Sequence, residues 1–125
     1  MTFEDTLQEH LSAIENRDLE AFMSTIANDG TLTIILPNGT ILDDYQKIID
    51  FHKGWFDDPD WSLALTPIRQ WQSDQVGMAI FNVIYHDLDA EGNPYQLAYI
   101  LSLIFAKQGQ GWLLVHDQNT MLPAA

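Results

Sequence analysis

An α+β domain is predicted over residues 1–125, with three N-terminal helices and a small hairpin packed on a strongly curved, mixed and mainly antiparallel sheet. Three observations carry this prediction. Apolar residues recur at helical spacing through the first 58 positions, and long apolar-rich runs of β character fill the rest. The two patterns are segregated along the chain, which favours helices gathered on one face of a sheet over alternating βαβ units. At 125 residues, 46% hydrophobic and 18% charged, the chain suits one domain with its own core.

The first helix opens on Thr2 and Asp5 as a capping box, carries Phe3, Leu7, Leu11 and Ile14 on one stripe, and runs to about Asn16. Asp18 caps a second helix with Leu19, Phe22, Met23 and Ile26, which Asn28-Asp29-Gly30 ends. The β-branched run 31–36, the turn Pro37-Asn38-Gly39 and the run 40–42 read as a hairpin. Asp43 and Asp44 then start a third helix, which stops at Asp57-Asp58-Pro59-Asp60. Four strands follow at 61–71, 76–88, 95–107 and 112–119, separated by short polar turns in the manner of an antiparallel meander.

Eighteen acidic residues oppose five basic ones, for a formal charge of −13, and the basic residues form no cluster. Phosphate neutralisation needs such a cluster, so nucleic acid is not an expected partner, nor is an anionic membrane surface. No run approaches the roughly 20 apolar residues of a membrane span. The start Met1-Thr2-Phe3-Glu4-Asp5 lacks the basic and apolar regions of a signal peptide, so a cytoplasmic location is expected. With no cysteine, disulfides and thiolate chemistry are excluded. No cofactor is expected, since no glycine-rich phosphate loop is present.

The segment 45–56 places His52 and Trp55 on or beside the apolar stripe of the third helix, and the last strand brings His116 to the end of an apolar run. Both histidines are the candidates for acid–base chemistry, because imidazole titrates near neutrality and can donate and accept at once. Plain alternation puts Trp112, Leu114, His116 and Gln118 on one face of that strand, taken as the cavity side, although one bulge would exchange the faces. Tyr85, Tyr99 and Leu103 share the inward parity of the middle strands and complete the expected lining. His10 is expected at the periphery and His86 on the outer face. No acidic residue is placed in the cavity, and His52, His86, His116 and Asp117 lack the spacing of a metal site.

Both parities of the strand 95–107 are apolar: Tyr99, Leu101, Leu103 and Phe105 on one side, and Ala98, Ile100 and Ile104 on the other. Helices cover only one face, so the second predicts an isologous homodimer.

The element order, together with Gly111-Trp112 through Val115-His116, resembles the nuclear transport factor 2-like superfamily of cystatin-like cones, which includes SnoaL-like proteins. Asp50-Phe51-His52-Lys53 with Phe56, and the turn from Asp89 to Pro94, resemble the association domain of calcium/calmodulin-dependent protein kinase II. The resemblance implies a pocket between the concave sheet and the helices, with His52 at its wall. Hub-type relatives carry arginines at positions that align with Val83 and Leu103; both are apolar here, which speaks against paired guanidinium groups holding a carboxylate. Three functions fit such a scaffold: binding of a small, largely apolar molecule; an isomerase, cyclase or dehydratase using a pocket histidine and tyrosine; or a non-catalytic oligomerisation module.

Overall fold

The computed structural model describes residues 1–123. Helix α1 (Phe3–Glu15) begins at Thr2, whose side chain accepts from the Asp5 amide while Asp5 accepts from the Thr2 amide, a complete capping box. Asp18 caps α2 (Leu19–Ser24) through the Ala21 amide, and Asp44 caps α3 (Tyr45–Asp57) through the Lys47 amide. Helix α2 is shorter than its apolar pattern predicts. After Ser24 the chain leaves the helix to bond alongside the last strand, Ala27 donating to the Leu114 carbonyl and Leu114 to that of Thr25.

Between α2 and α3 lie the short strands β1 (Thr33–Ile35) and β2 (Ile41–Leu42); the four long strands are β3 (Ser62–Gln72), β4 (Val76–Leu88), β5 (Pro94–Gln108) and β6 (Gly111–Met121). They form one mixed sheet in the order β2-β1-β6-β5-β4-β3, in which only the β1·β6 pairing is parallel. This is the α+β architecture that the segregated pattern predicts. The core lies between the helices and the inner face of β4, β5 and β6. Phe3 anchors α1 there, with its ring 5.6 Å from that of Phe105 and 5.7 Å from that of Trp112. Gly77 of β4 makes this approach possible, because a Cβ at that position would stand 2.4 Å from the Phe3 ring.

A bulge in β6 sets the geometry of the site. Ile104 pairs with His116, but the next residue of β5, Phe105, pairs with Leu114, so Val115 is the extra residue. Trp112 and Leu114 face inward before the bulge, and Asp117 and Asn119 do so after it. His116 and Gln118 are therefore carried to the outer face, where their side chains lie 3.3 Å apart. No helix among the described residues is long and apolar enough to cross a membrane.

Candidate functional site

A cavity of about 320 Å³ opens between the helices and the inner sheet face. Leu11 and Ile14 of α1, Ile34 and Leu36 at β1, Leu63 and Leu65 of β3, Val83 of β4 and Leu97 and Leu101 of β5 make most of its wall apolar. Phe51, His52 and Trp55 enter from α3, Tyr85 from β4, Tyr99 from β5, and Asp117, Asn119 and Met121 from β6.

Of the residues the sequence placed there, His52, Trp55, Tyr85 and Tyr99 line the cavity, whereas Leu103, His116 and Gln118 do not. Leu103 shares the inward parity but is sealed completely in the core. The Val115 bulge removes His116 and Gln118 and substitutes Asp117 and Asn119. The expectation that the cavity lacks an acid is thereby corrected. An aspartate two residues past the apolar run 112–115, with an asparagine two positions on, was the available signal.

Asp117 is nearly sealed from solvent, and its one side-chain partner among the described residues is Asn119, whose amide donates to Oδ1 at 3.0 Å and to the Ile35 carbonyl at 2.8 Å. Burial pushes its carboxyl up to about 7, against the opposing pull of the Asn119 hydrogen bond. The Tyr99 hydroxyl is raised to about 12, first by burial and then by the charge of Asp117.

His52 donates from Nδ1 to the Ile48 carbonyl at 2.7 Å, which fixes the tautomer and leaves Nε2 as an acceptor. Burial lowers its pKa to about 4, so the ring is neutral at physiological pH. It stacks on Phe22 with ring centres 4.1 Å apart. The His10 ring lies 5.3 Å from that of Phe22, and His10 is fully buried rather than peripheral. The spacing Phe3, Leu7, His10, Ile14 is itself that of a helix face and accounts for this placement. Thr25 donates its hydroxyl to the Phe22 carbonyl and so accepts from His10 Nδ1 at 2.8 Å; His10 Nε2 is left buried and unpartnered. Desolvation holds the His10 pKa at about 3, with a smaller contribution from His52.

At the end of the cavity formed by the C-terminal turn of α3, Trp55 donates from Nε1 to the Tyr85 hydroxyl (3.0 Å), and Tyr85 donates to Asp87 (2.7 Å). Burial first, and the Asp87 bond second, raise the Tyr85 pKa well above its usual value. Trp61 stacks on Trp55 at 4.2 Å and carries the Arg17 guanidinium 3.8 Å above its ring. Both hydrogen-bonding positions of the Tyr85 hydroxyl are thus occupied by the protein itself. No three His, Asp or Glu side chains converge as metal ligands among the described residues.

The fold recurs in solved structures. A protein assigned as a calcium/calmodulin-dependent protein kinase type II association domain, from Thiobacillus denitrificans, superposes with a TM-score of 0.79 at 18% identity, covering 98% of this chain and 96% of its own. A nuclear transport factor 2-like superfamily protein from Salmonella enterica gives 0.78 at 16% identity, covering 96% and 88%. A protein assigned as a dehydratase of the same family, from Streptomyces avermitilis, gives 0.79 at 12% identity, covering 95% and 92%. At these identities the likeness establishes the nuclear transport factor 2-like fold alone. No sequence among curated proteins matches the chain. The SnoaL-like domain family matches residues 4–123, nearly the whole length, and the chain belongs to that family.

Proposed function

We propose that the cavity binds a small, largely apolar molecule, with Asp117 as the polar group that orients it. The observation that carries this reading is a nearly sealed carboxyl with a single side-chain partner among the described residues, set in a mainly apolar wall. An unpaired buried carboxyl costs stability, and a cavity left open beside it forgoes packing contacts; both are common features of binding sites. At about 320 Å³ the space accommodates a bicyclic aromatic body. The probe is 2-naphthalenemethanol, followed by calorimetry. Binding with a dissociation constant on the order of 10–100 μM is expected from its size. Leu65→Trp, which fills the cavity, is expected to abolish it. No binding heat and no chemical-shift change with the unaltered protein would overturn the reading.

A second reading is proton transfer on the bound molecule, favoured by one specific pairing: a carboxyl held at about 7 and the open Nε2 of His52 border the same cavity. Deuterium exchange at the α-carbon of 2-tetralone, followed by NMR, tests it. Asp117→Asn should stop enzyme-dependent exchange, and exchange no faster than in buffer would remove the catalytic reading.

We further propose self-association through the outer sheet face, where Ile84 is 36% exposed and Ala98, Ile100 and Ile104 are half-buried. The Thiobacillus neighbour's assignment as an association domain is consistent with this. Light scattering is expected to give a homodimer that Ile100→Asp converts to monomer.

A further inference from the structure

A census of hydrogen-bonding groups around the cavity shows an imbalance. Its donors are largely committed within the protein. Trp55 Nε1 donates to Tyr85, the Tyr85 hydroxyl to Asp87, His52 Nδ1 to Ile48, and the Asn119 amide to both Ile35 and Asp117. The remaining groups are mainly acceptors once Asp117 is ionised: its Oδ2, which has no partner among the described residues, and the Nε2 lone pair of His52. Among the described side chains of the lining, only the Tyr99 hydroxyl and the amide of Asn38, exposed at the hairpin turn, retain a free donor.

Among the described residues no lysine or arginine lines the cavity, and none of them supplies a counter-charge for Asp117. Phe51, Trp55, Tyr85 and Tyr99 contribute aromatic walls, whose faces attract cations. The chain's net charge of −13 raises the local concentration of cations and lowers that of anions.

We infer that the cavity takes an organic ammonium ion with an apolar body, its nitrogen donating to Asp117 Oδ2 and directed away from anionic or purely acceptor ligands. The inference rests on the reading that the cavity binds a ligand. The ammonium supplies the donors and the positive charge that the wall lacks. A carboxylate in the same place would meet Asp117 with like charge and His52 with an opposed lone pair.

Three probes with one ring system test this by calorimetry: 2-naphthylmethylammonium, 2-naphthalenemethanol and 2-naphthoate. Near pH 8 the ammonium is expected to bind about tenfold more tightly than the alcohol and about a hundredfold more tightly than the carboxylate. Protonating Asp117 removes the charge pair. Because its carboxyl sits at about 7, the ammonium's affinity should fall roughly tenfold from pH 8 to pH 6, while that of the alcohol stays level. The other titratable groups that line the cavity are His52 on α3, Tyr85 on β4 and Tyr99 on β5; α1 contributes Leu11 and Ile14, and the β1 segment Ile34 and Leu36. His52 at about 4 and Tyr99 at about 12 are silent across that range, and Tyr85 is raised further still. Asp117→Asn, nearly isosteric, should erase the ammonium's advantage over the alcohol. Tighter binding of the carboxylate, an ammonium affinity flat in pH, or an advantage unchanged in Asp117→Asn would each overturn the inference while leaving the binding cavity standing. Failure of all three probes would overturn both.

Discussion

Asp87 and Asp117 are two aspartates on inner strand positions, each 8% exposed, in opposite circumstances. Asp87 accepts from the Tyr85 hydroxyl at 2.7 Å and from the Leu88 amide at 2.7 Å, and it closes a chain of bonds that begins at Trp55. Asp117 accepts, among the described residues, only from Asn119, and it borders the cavity. Equal burial therefore does not give equal chemistry. Where the protein supplies donors to both oxygens, an acid becomes part of the scaffold. Where it supplies one, the acid holds its proton up to about 7 and keeps an oxygen for something else.

The largest expected effect lies on the satisfied side. Tyr85→Phe leaves Asp87 Oδ2 and the Trp55 indole N–H without a partner, while Oδ1 keeps the Leu88 amide, and chemical denaturation should show a loss of about 3 kcal/mol. A loss under about 1 kcal/mol would indicate that water replaces the hydroxyl at little cost and would weaken the contrast. On the open side the sign reverses. Asp117→Asn removes a charge that folding must bury, so near pH 8 it should stabilise the protein by on the order of 2 kcal/mol. Destabilisation of that size would mean Asp117 belongs to the scaffold after all.

The pH dependence of stability sharpens the comparison. His10 and His52 are lowered to about 3 and about 4 from an ordinary 6.5, so the folded state binds fewer protons than the unfolded chain. Their contribution is present above pH 6.5 and is lost as pH falls through the folded values. Asp117, raised from 3.8 to about 7, has the opposite sign: its contribution is complete below 3.8 and is lost as pH rises to 7. Between about pH 6 and pH 4 two losses oppose one gain, so stability should fall on acidification by about 1.4 kcal/mol per pH unit. Asp117→Asn should roughly double that slope, and an unchanged slope would exclude Asp117 as a titrating group in this range. The smallest effect is expected for Tyr99→Phe, since no group among the described residues bonds to this hydroxyl; a stability change within about 0.5 kcal/mol is anticipated.

The sequence conveys the fold more fully than the site for a definite reason. Helix caps at Thr2, Asp18 and Asp44, the turn residues around Gly39 and Gly92, and the two-sided strands are local or periodic signals, and they specify the element order. His52 and Trp55 could be placed because α3 has an unbroken helical period. The site on β6 depends instead on which side chains face inward after Val115. Leu113, Leu114 and Val115 are all apolar, so alternation gives no sign of the bulge that exchanges His116 for Asp117. One inserted residue thus reassigned the acid–base candidate from an imidazole to a carboxyl. His10, expected at the periphery, is buried because it continues the stripe of Phe3 and Leu7.

The central claim is that Asp117 is the open, proton-holding group of this cavity. Carbon-13 NMR of the carboxyl carbons against pH, with the Asp117 resonance assigned by its absence in Asp117→Asn, tests it most directly. A midpoint near 7 that falls when 2-naphthylmethylammonium is bound is the expected result. A midpoint near 4 in the free protein would contradict the account, because Asp117 would then be as well satisfied as an aspartate in water.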